Sequence, residues 1–124
     1  MSVSVLVVDD HRSVRETLGM LIGLDSRFVL SGMAAHGREA VELARQACPD
    51  AIVSDVAMPI MSGVEAVPLL RELCHEVAIV MFSADPAAAS AAMAVGADAF
   101  VDKLSDATLL LDEIERVVRT RDFP

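Results

Sequence analysis

The run Val3-Ser4-Val5-Leu6-Val7-Val8 stops abruptly at Asp9-Asp10. After Ser4 it is unbroken apolar and rich in β-branched side chains, the composition of a strand buried on both faces of a parallel sheet. Four more short runs have the same character: Phe28 to Met33, Ala51 to Ser54, Val77 to Phe82 and Ala99 to Val101. Between and after them lie stretches of helical period, near 12–24, 37–47, 63–74, 86–95 and 106–120. In the last, Leu109, Leu110, Ile114, Val117 and Val118 recur at three and four residues, which leaves Asp112, Glu113, Glu115, Arg116 and Arg119 for solvent.

Strand and helix alternating five times predict one α/β domain over 1–124 with an open parallel sheet, helices on both faces and right-handed crossovers. The expected architecture is a flavodoxin-like, doubly wound (βα)5 fold with strand order 2-1-3-4-5. Local signals mark several helix starts. Ser62-Gly63-Val64-Glu65 fits a capping box, Asp85-Pro86 a cap followed by proline at the first helical position, and Ser105-Asp106 another cap. Gly96 is placed to end the fourth helix. Pro68 falls about six residues beyond the Ser62 cap, where it removes a ladder hydrogen bond, so a kink or a late start is expected there. Residues 119–124 read either as a natural tail or as the start of a linker.

The 124 residues carry 10 Lys and Arg against 19 Asp and Glu, a net charge of −9 that argues against direct binding of nucleic acid by this domain. At 54% hydrophobic and 23% charged the chain is too apolar for disorder. Aromatics are only 3%, so the core must be aliphatic. No apolar run is long enough for a membrane span, and the N-terminus lacks the basic and apolar regions of a signal peptide. Cys48 and Cys74 stand in no metal-binding pattern and are expected as packed, free thiols of a reducing compartment, with the cytoplasm as the location.

In a sheet of this order ligands bind beyond the carboxyl ends of the strands. Asp9-Asp10 follow strand one, Asp55 strand three, Ser83 strand four, and Lys103 lies just beyond strand five. Taken singly each has an ordinary reading: Asp9-Asp10 as a helix cap, Asp55 and Ser83 as turn residues, Lys103 as a solvated charge. Together at one edge they form a different inventory. Three converging carboxylates repel unless a cation joins them, and oxygen ligands suit Mg²⁺. An ammonium and a hydroxyl beside them would hold a dianionic phosphoryl group, with a carboxylate as nucleophile. His11, His36 and His75 are scattered and are expected in solvated or capping roles.

Four motifs carry a family resemblance: Val5-Leu6-Val7-Val8-Asp9-Asp10-His11, Ile52 through Gly63 around Asp55, Val80-Met81-Phe82-Ser83-Ala84, and Gly96 through Lys103. Over essentially its whole length the chain resembles the receiver domain of bacterial two-component response regulators. The Asp-Asp-His opening is similar to regulators that carry a helix-turn-helix DNA-binding domain after the receiver. The resemblance implies a phosphorylation-activated signalling switch that catalyses its own phosphotransfer. Asp55 would accept a phosphoryl group from a sensor histidine kinase. Asp10, Asp55 and the backbone carbonyl of Ala57 would bind Mg²⁺ directly, and Asp9 through a water. Ser83 and Lys103 would contact phosphoryl oxygens, and Phe100 would be a rotating aromatic switch. The surface of the fourth helix, fifth strand and fifth helix would control an output domain, a partner or a homodimer, with the Ala-rich fourth helix as the mobile element.

One departure from the family pattern is Leu104, which stands where proline commonly follows the lysine; a trans Lys103-Leu104 bond is expected because cis costs about 3 to 4 kcal/mol there. Rival readings fit less well. An aspartyl phosphatase of similar fold needs Asp-x-Asp, which Asp55-Val56-Ala57 lacks. A flavin module needs a Ser/Thr/Gly-rich loop after strand one. A corrinoid site needs Asp-x-His-x-x-Gly, and Val14 stands at the final position.

Overall fold

Parallel strands with apolar side chains on both faces need cover on both, and the crossover helices supply it. The structure, a computed structural model, describes residues 2–122. Its elements run β1 (Val3–Val8), α1 (Arg12–Leu24), β2 (Phe28–Ala34), α2 (Gly37–Gln46), β3 (Ala51–Asp55), α3 (Gly63–Leu73), β4 (Ala78–Ser83), α4 (Ala88–Ala94), β5 (Ala99–Asp102) and α5 (Ala107–Asp122). The five strands are parallel in the order β2-β1-β3-β4-β5, as expected. Strand side chains alternate between two apolar layers. Leu6, Ile52, Ile79 and Met81 face α2, α3 and α4, whereas Val5, Val7, Val53 and Val80 face α1 and α5.

The Ser62 capping box is present in both directions, and α3 starts at Gly63 rather than late. Pro68 sits inside the helix on its exposed side, where water can serve the carbonyl that the proline ring leaves without a donor. Gly63 is required by close approach: a Cβ there would lie 2.1 Å from the Asp55 carbonyl oxygen and 2.6 Å from Met81 Cε. Its amide donates to the Val56 carbonyl at 2.9 Å, which ties the start of α3 to the end of β3. Helix α4 begins two residues later than the 86–95 expectation, because the Asp85 carboxylate takes the Ala87 amide in a tight turn and Ala87 is the cap. Gly96, at φ 101°, follows α4 in a conformation that favours glycine, and the Asp106 carboxylate accepts from the Thr108 amide at the start of α5. Residues 119–122, expected as a tail or linker, continue α5; Phe123 and Pro124 lie outside the described residues.

One expectation fails. Cys48 and Cys74 are not separate thiols but a disulfide, with Cα atoms 5.7 Å apart. Cys48 lies just past α2 and Cys74 caps α3; both helices cover the same sheet face, so their ends meet at the edge opposite the acidic residues. Cysteine usage therefore does not argue for a reducing compartment. No described helix is long and apolar enough to cross a membrane.

Candidate functional site

Three strand ends converge because β1, β3 and β4 are neighbours and β5 flanks β4. Asp9 leaves β1 with a side chain that is fully buried. Its Oδ1 accepts from the His11 amide at 2.8 Å, and its own carbonyl accepts from Arg15 Nη1 at 2.8 Å, so the turn into α1 is braced from both sides. Asp10 is half-buried beside it. Asp55 ends β3, buried, with Oδ1 held by the Val56 amide at 2.8 Å.

Lys103 reaches into this group from the loop after β5. Its Nζ lies 2.8 Å from Asp9 Oδ2 and donates to Asp55 Oδ2 at 3.1 Å, with a side chain only 18% exposed. The same ammonium stands 4.8 Å from the centre of the Phe82 ring, a cation–π contact that limits the directions it can take. The Lys103 amide donates to the Ser83 carbonyl at 3.0 Å, which fixes the loop. The described chain has no cis peptide bond, so Lys103-Leu104 is trans as expected.

Burial pushes the Asp55 carboxyl above the ordinary carboxylate range; the Asp9 charge adds to this, while the Lys103 hydrogen bond and charge oppose it. For Lys103 burial acts downward, but the carboxylates of Asp9 and Asp55 outweigh it and hold the ammonium above its usual value. Three carboxylates and one ammonium leave the pocket short of positive charge. Asp9 Oδ2 is close enough to Lys103 for an ion pair but receives no well-aligned hydrogen bond, and the buried Asp10 Oδ1 receives none either. One ligating atom each from Asp9, Asp10, His11 and Asp55 falls within 4.8 Å of the others. Under-served oxygens packed this closely fit a hard divalent cation.

Ser83 is near but not engaged: its hydroxyl accepts from the Asp85 amide at 3.1 Å. Ala57 is exposed just past β3. Phe100 is half-buried, packed toward the α2, α3 and α4 side, and aligned with Met81 across the β4–β5 pair. The sequence gives no local signal for the parts played by Phe82 and Arg15, since each acts through a tertiary contact. Of the two roles expected for His11, the structure shows the solvated one: the side chain is 66% exposed. The ring makes no capping bond, and its Nδ1 turns instead to Asp9 Oδ1 at 3.2 Å and Asp10 Oδ1 at 3.3 Å. His36 does cap α2, accepting from the Glu39 amide.

Residues 5–115 match the family described as the response regulator receiver domain. The chain belongs to that receiver-domain family. It is 36% identical over 124 residues to protein-glutamate methylesterase/protein-glutamine glutaminase 2 of Photobacterium profundum, covering 98% of this chain and 29% of that protein. It is 42% identical over 79 residues to the transcriptional regulatory protein YdfI of Bacillus subtilis (strain 168), covering 64% of this chain and 37% of the relative. Among solved structures, a LuxR-family two-component response regulator from Aurantimonas sp. SI85-9A1 superposes with a TM-score of 0.90 at 32% identity, over 98% of this chain and 88% of that one. The chain thus spans little more than a third, or less, of the curated relatives it matches. As a receiver domain it is a phosphorylation-activated signalling switch of the two-component type, and the phosphatase, flavin and corrinoid readings find no support.

Proposed function

We propose that Asp55 is the phosphoacceptor and that the 1–124 receiver domain is charged by a sensor histidine kinase in the cytoplasm. The observation that carries this reading is Lys103 Nζ held between the buried carboxylates of Asp9 and Asp55. In the transfer an Asp55 oxygen attacks phosphorus, the P–N bond of a phosphohistidine breaks, and the departing imidazole nitrogen keeps the electron pair and takes up a proton. Lys103 releases Asp55 Oδ2 and follows the charge onto the phosphoryl oxygens, while the buried walls keep water scarce. Asp10, Asp55 and the Ala57 carbonyl would hold Mg²⁺, with Asp9 acting through a water; bound there, the ion neutralises the carboxylates and the incoming phosphoryl oxygens.

The acyl phosphate carries about −1.5 to −2 charges where the carboxylate carried one, and it presents three acceptor oxygens. The Ser83 hydroxyl turns from the Asp85 amide toward them, and Phe100 rotates into the space vacated. Helix α4, in which Ala92 is the only buried residue, shifts with it. The α4-β5-α5 surface then engages an output domain, a partner or a second copy. A DNA-binding output is the favoured kind, on the likeness to LuxR-family and YdfI regulators.

Incubation with a small phosphodonor and Mg²⁺, followed by intact mass and peptide mapping, tests the assignment. One labile phosphate on Asp55, absent in Asp55→Ala and after chelation, is expected. An adduct that persists in Asp55→Ala overturns it.

A further inference from the structure

We propose that the Cys48–Cys74 disulfide is a thiol-exchange site, attacked at Cys48 by a neutral or cationic thiol or dithiol and resolved by Cys74. The two sulfurs differ in access. Cys48, just past α2, is exposed, whereas Cys74, the cap residue at the end of α3, is only 5% exposed. Both line one cavity of about 550 Å³, which gives an incoming thiol room to approach the bond. Asp10, Asp55 and Lys103 line no part of it, so the site is separate from the acidic one.

The charges of the cavity set which thiol is admitted. Asp50 and Glu76 stand on its wall with Arg121 and the exposed His75. Arg121 is already committed: its Nε donates to the Val77 carbonyl at 2.9 Å and lies 3.4 Å from Asp98 Oδ2. Asp50 Oδ2 accepts from the Ser4 amide and hydroxyl, which leaves its charge in place. At about pH 8, where histidine is uncharged, the wall is net negative. It therefore repels a carboxylate-bearing thiol such as glutathione more than an uncharged or ammonium-bearing one.

A thiolate attacks Cys48 Sγ; the new S–S bond forms as the Cys48–Cys74 bond breaks, and Cys74 leaves with the electron pair and takes up the proton the thiol gave. A second thiol, or the other sulfur of a dithiol, then attacks the sulfur bound to Cys48 and frees it. The bridge gains two electrons and two protons while the dithiol becomes a disulfide. Reduction does not part the pair, because Val41 and Ala44 of α2 share one buried cluster with Val67 and Leu70 of α3 beside Cys74. The freed Cys74 thiol finds the Ala44 carbonyl 4.0 Å away as an acceptor and stays placed to attack a mixed disulfide on Cys48.

The test follows exchange in the oxidised full chain, folded and at low salt, by acid quenching, intact mass and peptide mapping. The first adduct should form on Cys48, and in Cys74→Ala it should accumulate as a single stable one. In Cys48→Ala, Cys74 should react with a thiol reagent at least about tenfold more slowly than in the urea-unfolded chain. Cysteamine and glutathione are compared, each rate divided by its rate on a small uncharged disulfide. Cysteamine should be ahead by about threefold at low salt, with the ratio shrinking toward one at high salt. A first adduct on Cys74, an exchange rate that does not rise with thiol concentration, or a ratio of one or less at low salt overturns the proposal. Quenched trapping in the parent chain decides the order of attack if either variant fails to fold.

Discussion

Lys103 donates to Asp55 at 3.1 Å across 48 residues of chain. The contact exists because β3 and β5 both flank β4, so the loops beyond their carboxyl ends overhang the same spot. A buried carboxylate beside a second one, Asp9, is tolerated only with a cation in reach, and Lys103 is the cation the fold itself provides.

Replacing that ammonium therefore exposes the repulsion. Lys103→Met should destabilise the chain by about 3 kcal/mol in chelator, since two buried carboxylates lose their partner. Millimolar Mg²⁺ should restore part of the loss. Denaturant melts with and without the ion check this; equal stability of variant and parent in chelator would contradict the ion-pair account.

Gly63→Ala is expected to be among the most damaging single-methyl changes in the protein. The added carbon meets the Asp55 carbonyl and Met81, so either α3 moves off β3 or Asp55 is displaced. A loss of about 3 kcal/mol is expected, with slower phosphorylation of whatever remains folded. Guanidinium unfolding together with phosphodonor kinetics measures both.

The Cys48–Cys74 bridge closes a loop across 26 residues at the pole away from the acidic site. Reducing it should lower stability by about 3 kcal/mol through the entropy of the unfolded chain and leave phosphorylation at saturating donor unchanged. Paired melts of oxidised protein, reduced protein and Cys48→Ser/Cys74→Ser provide the comparison.

Acid should weaken the far end of the domain first. The Asp25 carboxyl is held below its ordinary value by hydrogen bonds from Arg27, which also reaches Asp112 and Glu115 on α5; Glu113 is likewise held down by Arg116. A carboxyl with a lowered folded pKa contributes stability above its unfolded value, and that contribution disappears as the pH falls through the folded one. Stability should thus decline as pH drops below the unfolded values of 3.8 and 4.5 for these groups. Arg27→Gln should flatten the part of that slope belonging to Asp25, as read by melting temperature against pH.

Much was legible in the chain because it is written in short-range periods. Apolar runs ending in acids, helical spacing between them, the Ser62 capping box and the placement of Gly96 are local patterns, and they sufficed for the βα alternation; the strand order 2-1-3-4-5, and with it the edge on which Asp9, Asp10, Asp55 and Lys103 gather, was an expectation about the architecture that the sheet bears out. What local pattern does not encode is which side chains touch once distant segments meet. The sharing of Lys103 between Asp9 and Asp55, its seat over Phe82, the turn of His11 away from its own helix, and the joining of Cys48 to Cys74 were decided by strands and helices brought side by side. The late start of α4 has a similar cause: Asp85, expected as the cap, closes a turn onto the Ala87 amide while its own amide donates to the Ser83 hydroxyl, and Ala87 becomes the cap. Backbone periodicity is a property of neighbours in sequence, whereas charge pairing and ligand sets belong to neighbours in space.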